Sequence, residues 1–487
     1  MIDGLKPYPK YKDSGVPWLG QVPVHWEVFP GRTLFREISD RGHPNEELLS
    51  VTISRGVVRQ ADLLSNSSKK DSSNEEKLSY KLVEPGDIVY NKMRAWQGAV
   101  GVSAYRGIVS PAYIIQRLRN SRNSPRYIHY LLRTPSFTTE AERWSYGITS
   151  DQWSLRAEDF KNIYFSVPDP DEQTAIVRFL DWADRRIRRV IRARKKRIQL
   201  LEEHKQALIH QAVTGKMDVR TGKPYPKYKD SGVEWLGQVP EHWEVRRLKR
   251  IARLNPSKSE VSPALRSADA VFLPMEKVGA DGRIDTSIVK RVSELWNGFT
   301  YFRQNDVIVA KITPCFENGK GACLTNLPTE IGFGSTEFHV LRPSSAILPE
   351  FLYLVTILRE FRQLGVEAMT GAAGQQRVPS TFIEQFPTCH PPLSEQTAIV
   401  EFLDEQTGKI DAAITADRRV IDLLEEFRTR LVADVVTGKL DVREAAAELP
   451  DEPPEEEAES LEEEEPAEDN EAAGKADLEA ISEEAER

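Results

Sequence analysis

The sequence predicts an α+β fold: two mixed α and β domains in tandem, joined by two long antiparallel coiled-coil helices with pseudo-twofold symmetry. Three observations carry that expectation. First, a 23-residue block occurs twice, KPYPKYKDSGVPWLGQVPVHWEV at Lys6 to Val28 and KPYPKYKDSGVEWLGQVPEHWEV at Lys223 to Val245, with only Pro17/Glu234 and Val24/Glu241 differing. Second, EQTAIVRFLDWADRRI from Glu172 is answered by EQTAIVEFLDEQTGKI from Glu395, LLEE from Leu200 by LLEE from Leu423, and AVTGKMDVR from Ala212 by VVTGKLDVR from Val435. Third, the text between these blocks diverges while its rhythm persists. The offset is 217 residues at the front and 223 at the back, so the variable stretch of the second half is six residues longer.

Residues 1–168 form the first domain, opened by the repeated block. Within it PGDIVYNKMRAW from Pro85 and GIVSPAYIIQRL from Gly107 each place a turn before a β-branched or aromatic run, which predicts strands. The second domain, residues 223–391, repeats this with QNDVIVAKITPC from Gln304 and GFGSTEFHVLRP from Gly332. RYIHYLLRT from Arg126 and PEFLYLVTIL from Pro349 are the matching short helices.

After each domain the period changes. In residues 169–222 a seam of Ile176, Leu180, Ala183, Ile187, Val190, Arg194, Ile198, Leu201, Lys205, Leu208 and Ala212 alternates spacings of four and three. Residues 392–443 repeat it through Leu403, Gln406, Ile410, Ala413, Asp417, Ile421, Leu424, Arg428, Leu431 and Val435. A helix of about 40 residues spans roughly 60 Å, more than one globular domain needs, so the simplest packing is an antiparallel rod with a domain at each end, a ruler. Arg194 and Asp417 hold equivalent seam positions; either they pair and set the register, or both reach out to solvent from the seam's edge.

The net charge of the whole chain, -9, hides a division. Residues 444–487 carry 20 acidic and 2 basic side chains, which leaves residues 1–443 with 64 Lys+Arg against 55 Asp+Glu, a body of +9. The acidic tail has few large apolar residues and is expected to be disordered, either a solubilising extension or an internal competitor for the basic body. Cys315, Cys323 and Cys389 include no CxxC pair, which argues against a disulfide framework or a common zinc spacing and for a reducing compartment. With no signal core and no long apolar run, the expected location is cytoplasmic.

Catalytic motifs are missing. There is no GxxxxGK[ST] loop, no HExxH and no GxSxG, and NPSK at Asn255 and HPPL at His390 do not make the Asp/Asn-Pro-Pro-aromatic signature of a base methyltransferase. Asp87 and Lys92 share a stretch, but Tyr90 stands where a metal-binding nuclease places an acid. Cys315, Cys323 and His339 lack a fourth ligand within reach, and His25 and His242 in the PxHW turns read as packed, hydrogen-bonded structural histidines. No catalytic residue, cofactor site or metal site is therefore expected in this chain.

Basic residues do cluster. Nine of the thirteen residues from Arg185 to Arg197 are Arg or Lys, among them Arg188 and Arg192, where the second half is mixed; this is either a solvated face or a contact for a polyanion backbone. Near the strand ends, Lys92, Arg94, Trp96 and Gln97 in the first domain and Lys311, Thr313, Gln375, Gln376 and Arg377 in the second are the candidates for meeting bases, with a plain surface role as the alternative for each. Arg and Lys suit guanine edges, Gln suits adenine, and all serve phosphates. The sets differ between the domains, as reading two different half-sequences requires.

YKDSGVPWLGQVPVHWEV, its copy from Tyr228, and the EQTAIV and LLEE helices closely resemble the specificity subunit of type I restriction-modification systems, over residues 1–443. The resemblance implies two target-recognition domains, each reading one half of a split asymmetric site in double-stranded DNA, with the helices setting the spacer. It implies as partners two methylation subunits, which carry S-adenosylmethionine and modify adenine, and restriction subunits, which cut using ATP and Mg; this chain would hold none of these cofactors. The competing expectation is a duplicated coiled-coil scaffold that binds only protein. A stand-alone nuclease or methyltransferase ranks last, since the chain lacks their motifs.

Overall fold

The computed structural model describes residues 5–64, 77–147, 153–372 and 374–450. The chain divides into two compact units, one of Met1–Ala193 with Val420–Arg487 and the other of Arg194–Arg419. The division passes through both long helices, Pro170–Val213 and Leu393–Val436, each of 44 residues. Among the described residues no helix is long and apolar enough to cross a membrane.

In the first unit a four-stranded antiparallel sheet runs in the order Phe35–Ile38, Tyr113–Leu118, Ile88–Asn91, Val100–Val102. Successive side chains of a strand point to opposite faces, and both faces of Ile88–Asn91 are covered. Ile88 and Tyr90 pack with Phe35, Phe160, Phe165 and the start of the long helix at Ile176 and Leu180. Val89 turns the other way, onto Leu49, Val51 and Val83 of two small two-stranded sheets. This double burial explains why PGDIVYNK reads as a continuous apolar run. The second unit has the same plan in Ala252–Leu254, Phe338–Pro343, Val307–Ala310 and Gly321–Cys323. Its second layer is larger, a four-stranded sheet in which Asp269–Leu273 pairs in parallel with Ile331–Gly334.

A buried acid-base pair anchors each central strand. Asp87 accepts Glu84 N and takes both Nε and Nη2 of Arg117 from the neighbouring strand. Asp306 does the same with Arg303 N and Arg342, at 2.7 Å for each guanidinium contact. The D of PGD and of QND is thus a turn cap and a strand lock at once.

The repeated blocks fold into a frame around one carboxylate. In the first unit Glu172, 3% exposed, accepts Tyr8 Oη at 2.6 Å and Trp26 Nε1 at 3.0 Å, with His25 Nε2 at 2.8 Å. In the second, Glu395 accepts Tyr225 Oη and Trp243 Nε1, both at 2.9 Å, with His242 Nε2 at 2.8 Å. The histidines of the PxHW turns are hydrogen-bonded members of this frame. The VTGK glycines close it: Gly215 and Gly438 adopt φ of +72° and +77° just past the helix ends, and a Cβ on either would lie within 2.5 Å of Pro240 or Pro23 respectively.

In the first unit that closure comes from the far end of the chain. Asp441 N donates to Lys6 O and Tyr11 Oη to Lys439 O, as Asp218 N donates to Lys223 O and Tyr228 Oη to Gly215 O in the second. The expectation that order ends at residue 443 is corrected here. Arg443–Glu448 is a helix whose Ala446 is 2% exposed, and Ala445 and Leu449 pack on the same core. Their apolar face was hidden by an acidic average taken over the whole tail. Residues 451–487, the remainder of the tail expected to be disordered, lie outside the described residues.

The helix seams follow the four-three spacing with a drift. Val190 is 42% exposed and Ile191 takes its place in the packing, while Ile414 rather than Ala413 is buried, because a straight helix of 3.6 residues per turn slips against a seven-residue repeat. Within the second unit Asp417, fully buried, accepts Arg194 Nη1 at 2.7 Å and Arg197 Nε at 2.6 Å, and Lys205 meets Asp411 at 2.7 Å. Residue numbers rise on one helix as they fall on the other, so these helix halves run antiparallel. Arg194 and Arg197 remain 35% and 51% exposed. Asp417→Leu therefore leaves no cation trapped and is expected to change the urea unfolding free energy by less than about 1 kcal/mol, whereas Arg194→Leu with Arg197→Leu strands a buried carboxylate and costs roughly 3–5 kcal/mol.

Candidate nucleic-acid interface

The central strand of each unit delivers the chain to one edge of its sheet, and there the candidate residues stand. In the second unit the turn after Val307–Ala310 is laced to the loop before helix Ser380–Gln385. Thr313 N donates to Gln376 O at 3.0 Å, Gln376 N to Thr313 Oγ1 at 3.1 Å, and Val378 N to Lys311 O at 2.8 Å. Lys311, Thr313, Gln375, Gln376 and Arg377, chosen from two stretches over 60 residues apart, thus meet in one place.

Arg377 is committed within it. Its Nε and Nη2 both donate to Glu337 at 3.0 Å, and Nη1 donates to Gln375 O at 3.2 Å. This guanidinium holds the Glu337 carboxyl below the usual carboxylate range; partial burial opposes the shift and Lys311 adds to it. Arg377 therefore organises the loop, while Lys311 and the exposed Gln375 are better placed to reach outward.

Residues that the sequence did not single out complete the edge. Asn255, Ser257, Lys258, Tyr301 and Thr336 line, together with Lys311, a cleft of about 300 Å³. Asn255 sits at φ +46°, accepts Val340 N through Oδ1, and places Nδ2 3.3 Å from His339 Nδ1. His339 Nε2 donates to Val378 O at 2.9 Å, and burial lowers its pKa. The signal was the NPSK string, weighed only as a catalytic motif; its Asn and Lys line a cleft instead.

The first unit builds the same edge differently. Leu155 N donates to Lys92 O at 2.8 Å, the counterpart of Val378 and Lys311. Lys92 and Arg94 lie in the turn after Ile88–Asn91, and Trp96 and Gln97 in the short helix Ala95–Gln97. Trp96 spends its Nε1 proton on Met93 O and meets Trp153 in a T-shaped contact at 5.6 Å, so its N–H is not free for a ligand. Gln97 is exposed. On the long helix, Arg188 donates to Asp184 at 2.9 Å, whereas Arg192 has no ion-pair partner among the described residues.

Among the described residues neither edge gathers a cluster of metal-ligating side chains. Asp87, considered with Lys92 as half of a nuclease pair, is held by Arg117, and among the described residues no three metal-ligating side chains cluster. Burial pushes the Cys323 and Cys389 thiols up to about 12, away from thiolate. What the edges offer is cations, amides and an aromatic ring in the turns and loops beside the central strands, groups of the kind that meet a polyanion.

The chain is similar to known proteins over part of its length. Residues 240–417 match the type I restriction modification DNA specificity domain. The chain is 38% identical over 183 residues to the EcoAI type I restriction enzyme specificity subunit of Escherichia coli, and 40% identical over 179 residues to the EcoEI specificity subunit of the same species. Each match takes in 37% of this chain and 30% of the relative's length. The fold is shared more widely: a solved structure concerning complex assembly and conformational transition of the type I R-M system superposes with a TM-score of 0.60 at 16% identity, covering 85% of this chain and 98% of the other. The resemblance to type I specificity subunits is thus shown over these stretches.

Proposed function

We propose that this chain is the non-catalytic, sequence-reading subunit of a type I restriction-modification complex, binding a bipartite asymmetric site in double-stranded DNA. One observation carries the reading: the same frame, closed on Glu172 in one unit and Glu395 in the other, supports two sheet edges whose exposed residues differ. A duplicated frame suits two copies of one partner, and divergent edges suit two half-sequences. Residues 1–168 and 223–391 act as target-recognition domains. The paired helices, residues 169–222 and 392–443, set the spacer between the half-sites as an antiparallel coiled coil. The antiparallel ion pairs of the second unit and the Asp184–Arg428 contact within the first support that pairing.

The partners in this reading are two methylation subunits, which bring S-adenosylmethionine, and restriction subunits, which bring ATP and Mg. Lys92, Arg94, Trp96, Gln97, Lys311, Thr313, Gln375, Gln376 and Arg377 form the reading edges, and Arg188 and Arg192 approach the phosphate backbone. Expression with a methylation subunit, followed by genome-wide mapping of modified adenines, tests it; a split motif that depends on this chain is the expected result.

A further inference from the structure

Arg178 Nη2 donates to the carbonyls of Leu449 at 2.8 Å and of Pro450 at 3.3 Å, so the last described residue rests on the long helix Pro170–Val213. Arg185 and Arg192 lie seven and fourteen residues beyond Arg178 and therefore share its helix face, with Arg189 beside them. All belong to the first unit. Arg185, Arg189 and Arg192 have no hydrogen-bond or ion-pair partner among the described residues, although their neighbours do: Arg186 lies over Trp182 and Arg188 holds Asp184. The corresponding residues of the second half, Gly408, Ala412 and Thr415, carry no charge, so the stripe is particular to one helix.

The segment beyond Pro450 is the electrostatic complement of this stripe. Ten of the fifteen residues 451–465 are Asp or Glu, and residues 451–487 hold 18 acids against Lys475 and Arg487. From Arg178 to Arg192 is about 21 Å of helix, a distance that roughly seven extended residues cover. Tethering at Pro450 turns the encounter into an intramolecular one at an effective concentration on the order of millimolar.

We propose that the acidic segment 451–487 docks along Arg185, Arg189 and Arg192 of its own chain as an internal polyanion, so that an external polyanion reaches the stripe only by displacing it. The proposal does not rest on the DNA reading, and its test is independent of DNA. In the full chain, Arg185→Lys, Arg189→Lys and Arg192→Lys together keep the charge and supply amines for carbodiimide coupling to carboxylates. Mass spectrometry is expected to find cross-links from these positions to residues 451–465, falling severalfold when salt is raised from about 0.1 to about 1 M and the screening length shrinks from about 10 to about 3 Å. Cross-links no more frequent than those from the exposed Lys10, Lys227 and Lys229, or insensitive to salt, would overturn the proposal.

Discussion

Glu395→Ala is expected to lower the unfolding free energy by roughly 3–5 kcal/mol, read as a shift in the urea midpoint. The carboxylate collects three donors in a place with little water. Trp243 is fully buried and Tyr225 is 6% exposed, so the indole N–H and the phenol O–H lose their acceptor with no replacement. Each buried donor left unsatisfied costs about 1–3 kcal/mol. His242, 47% exposed, turns to solvent and adds less. Acid dependence separates this from a simple cavity. Burial alone would raise the Glu395 pKa, but the Trp243, His242 and Tyr225 donors outweigh it and the carboxyl is held below its ordinary value. A depressed folded-state pKa adds stability that is complete above the unfolded value, about 4.3, and is lost as pH falls through the folded one. The gap between the parent chain and Glu395→Ala is therefore expected to narrow below about pH 4. Glu395→Gln, which keeps one acceptor, is expected to cost less.

The second large effect concerns DNA. In the assembled complex, Lys311→Ala is expected to weaken binding of the mapped site by about 1–3 kcal/mol, roughly 5- to 150-fold, and to do so through one half of that site alone. Lys311 faces the cleft with Asn255 and Lys258 and is fixed from behind by Val378 N on its carbonyl. Competition titrations with duplexes scrambled in either half separate the outcomes: the penalty is expected to disappear when the half that the proposed reading assigns to residues 223–391 is scrambled and to persist when the other is. Arg377→Ala acts differently, because its guanidinium is spent on Glu337 and Gln375. Its loss loosens the loop, so the penalty spreads over the bases of the same half-site.

Much of this architecture was legible because its signals are local. PGDIVYNK and QNDVIVAK announce buried strands by a turn followed by a continuous apolar run, and the four-three spacing marks both long helices to within a few residues. The contacts that give the frame its purpose are not local. Glu172 stands out in EQTAIV only as a repeated letter, since Tyr8 and His25, which it binds, lie about 150 residues upstream. The meeting of Thr313 with Gln376 spans 63 residues and depends on the register of a strand and a loop. Helix Arg443–Glu448 escaped because three apolar side chains suffice to dock it, too few to lift the average of an acidic stretch. The seam shifted from Val190 to Ile191 because periodicity fixes a face only to within one residue.

The most direct test of the central claim is a map of modified adenines made twice, once with this chain beside a methylation subunit and once with residues 29–168 exchanged for those of a relative. The account predicts a split motif in the first map and, in the second, a change confined to one half with the spacer unaltered. A complex that assembles but leaves no new modified motif, or an exchange that alters both halves together, would contradict it and favour a scaffold that binds only protein.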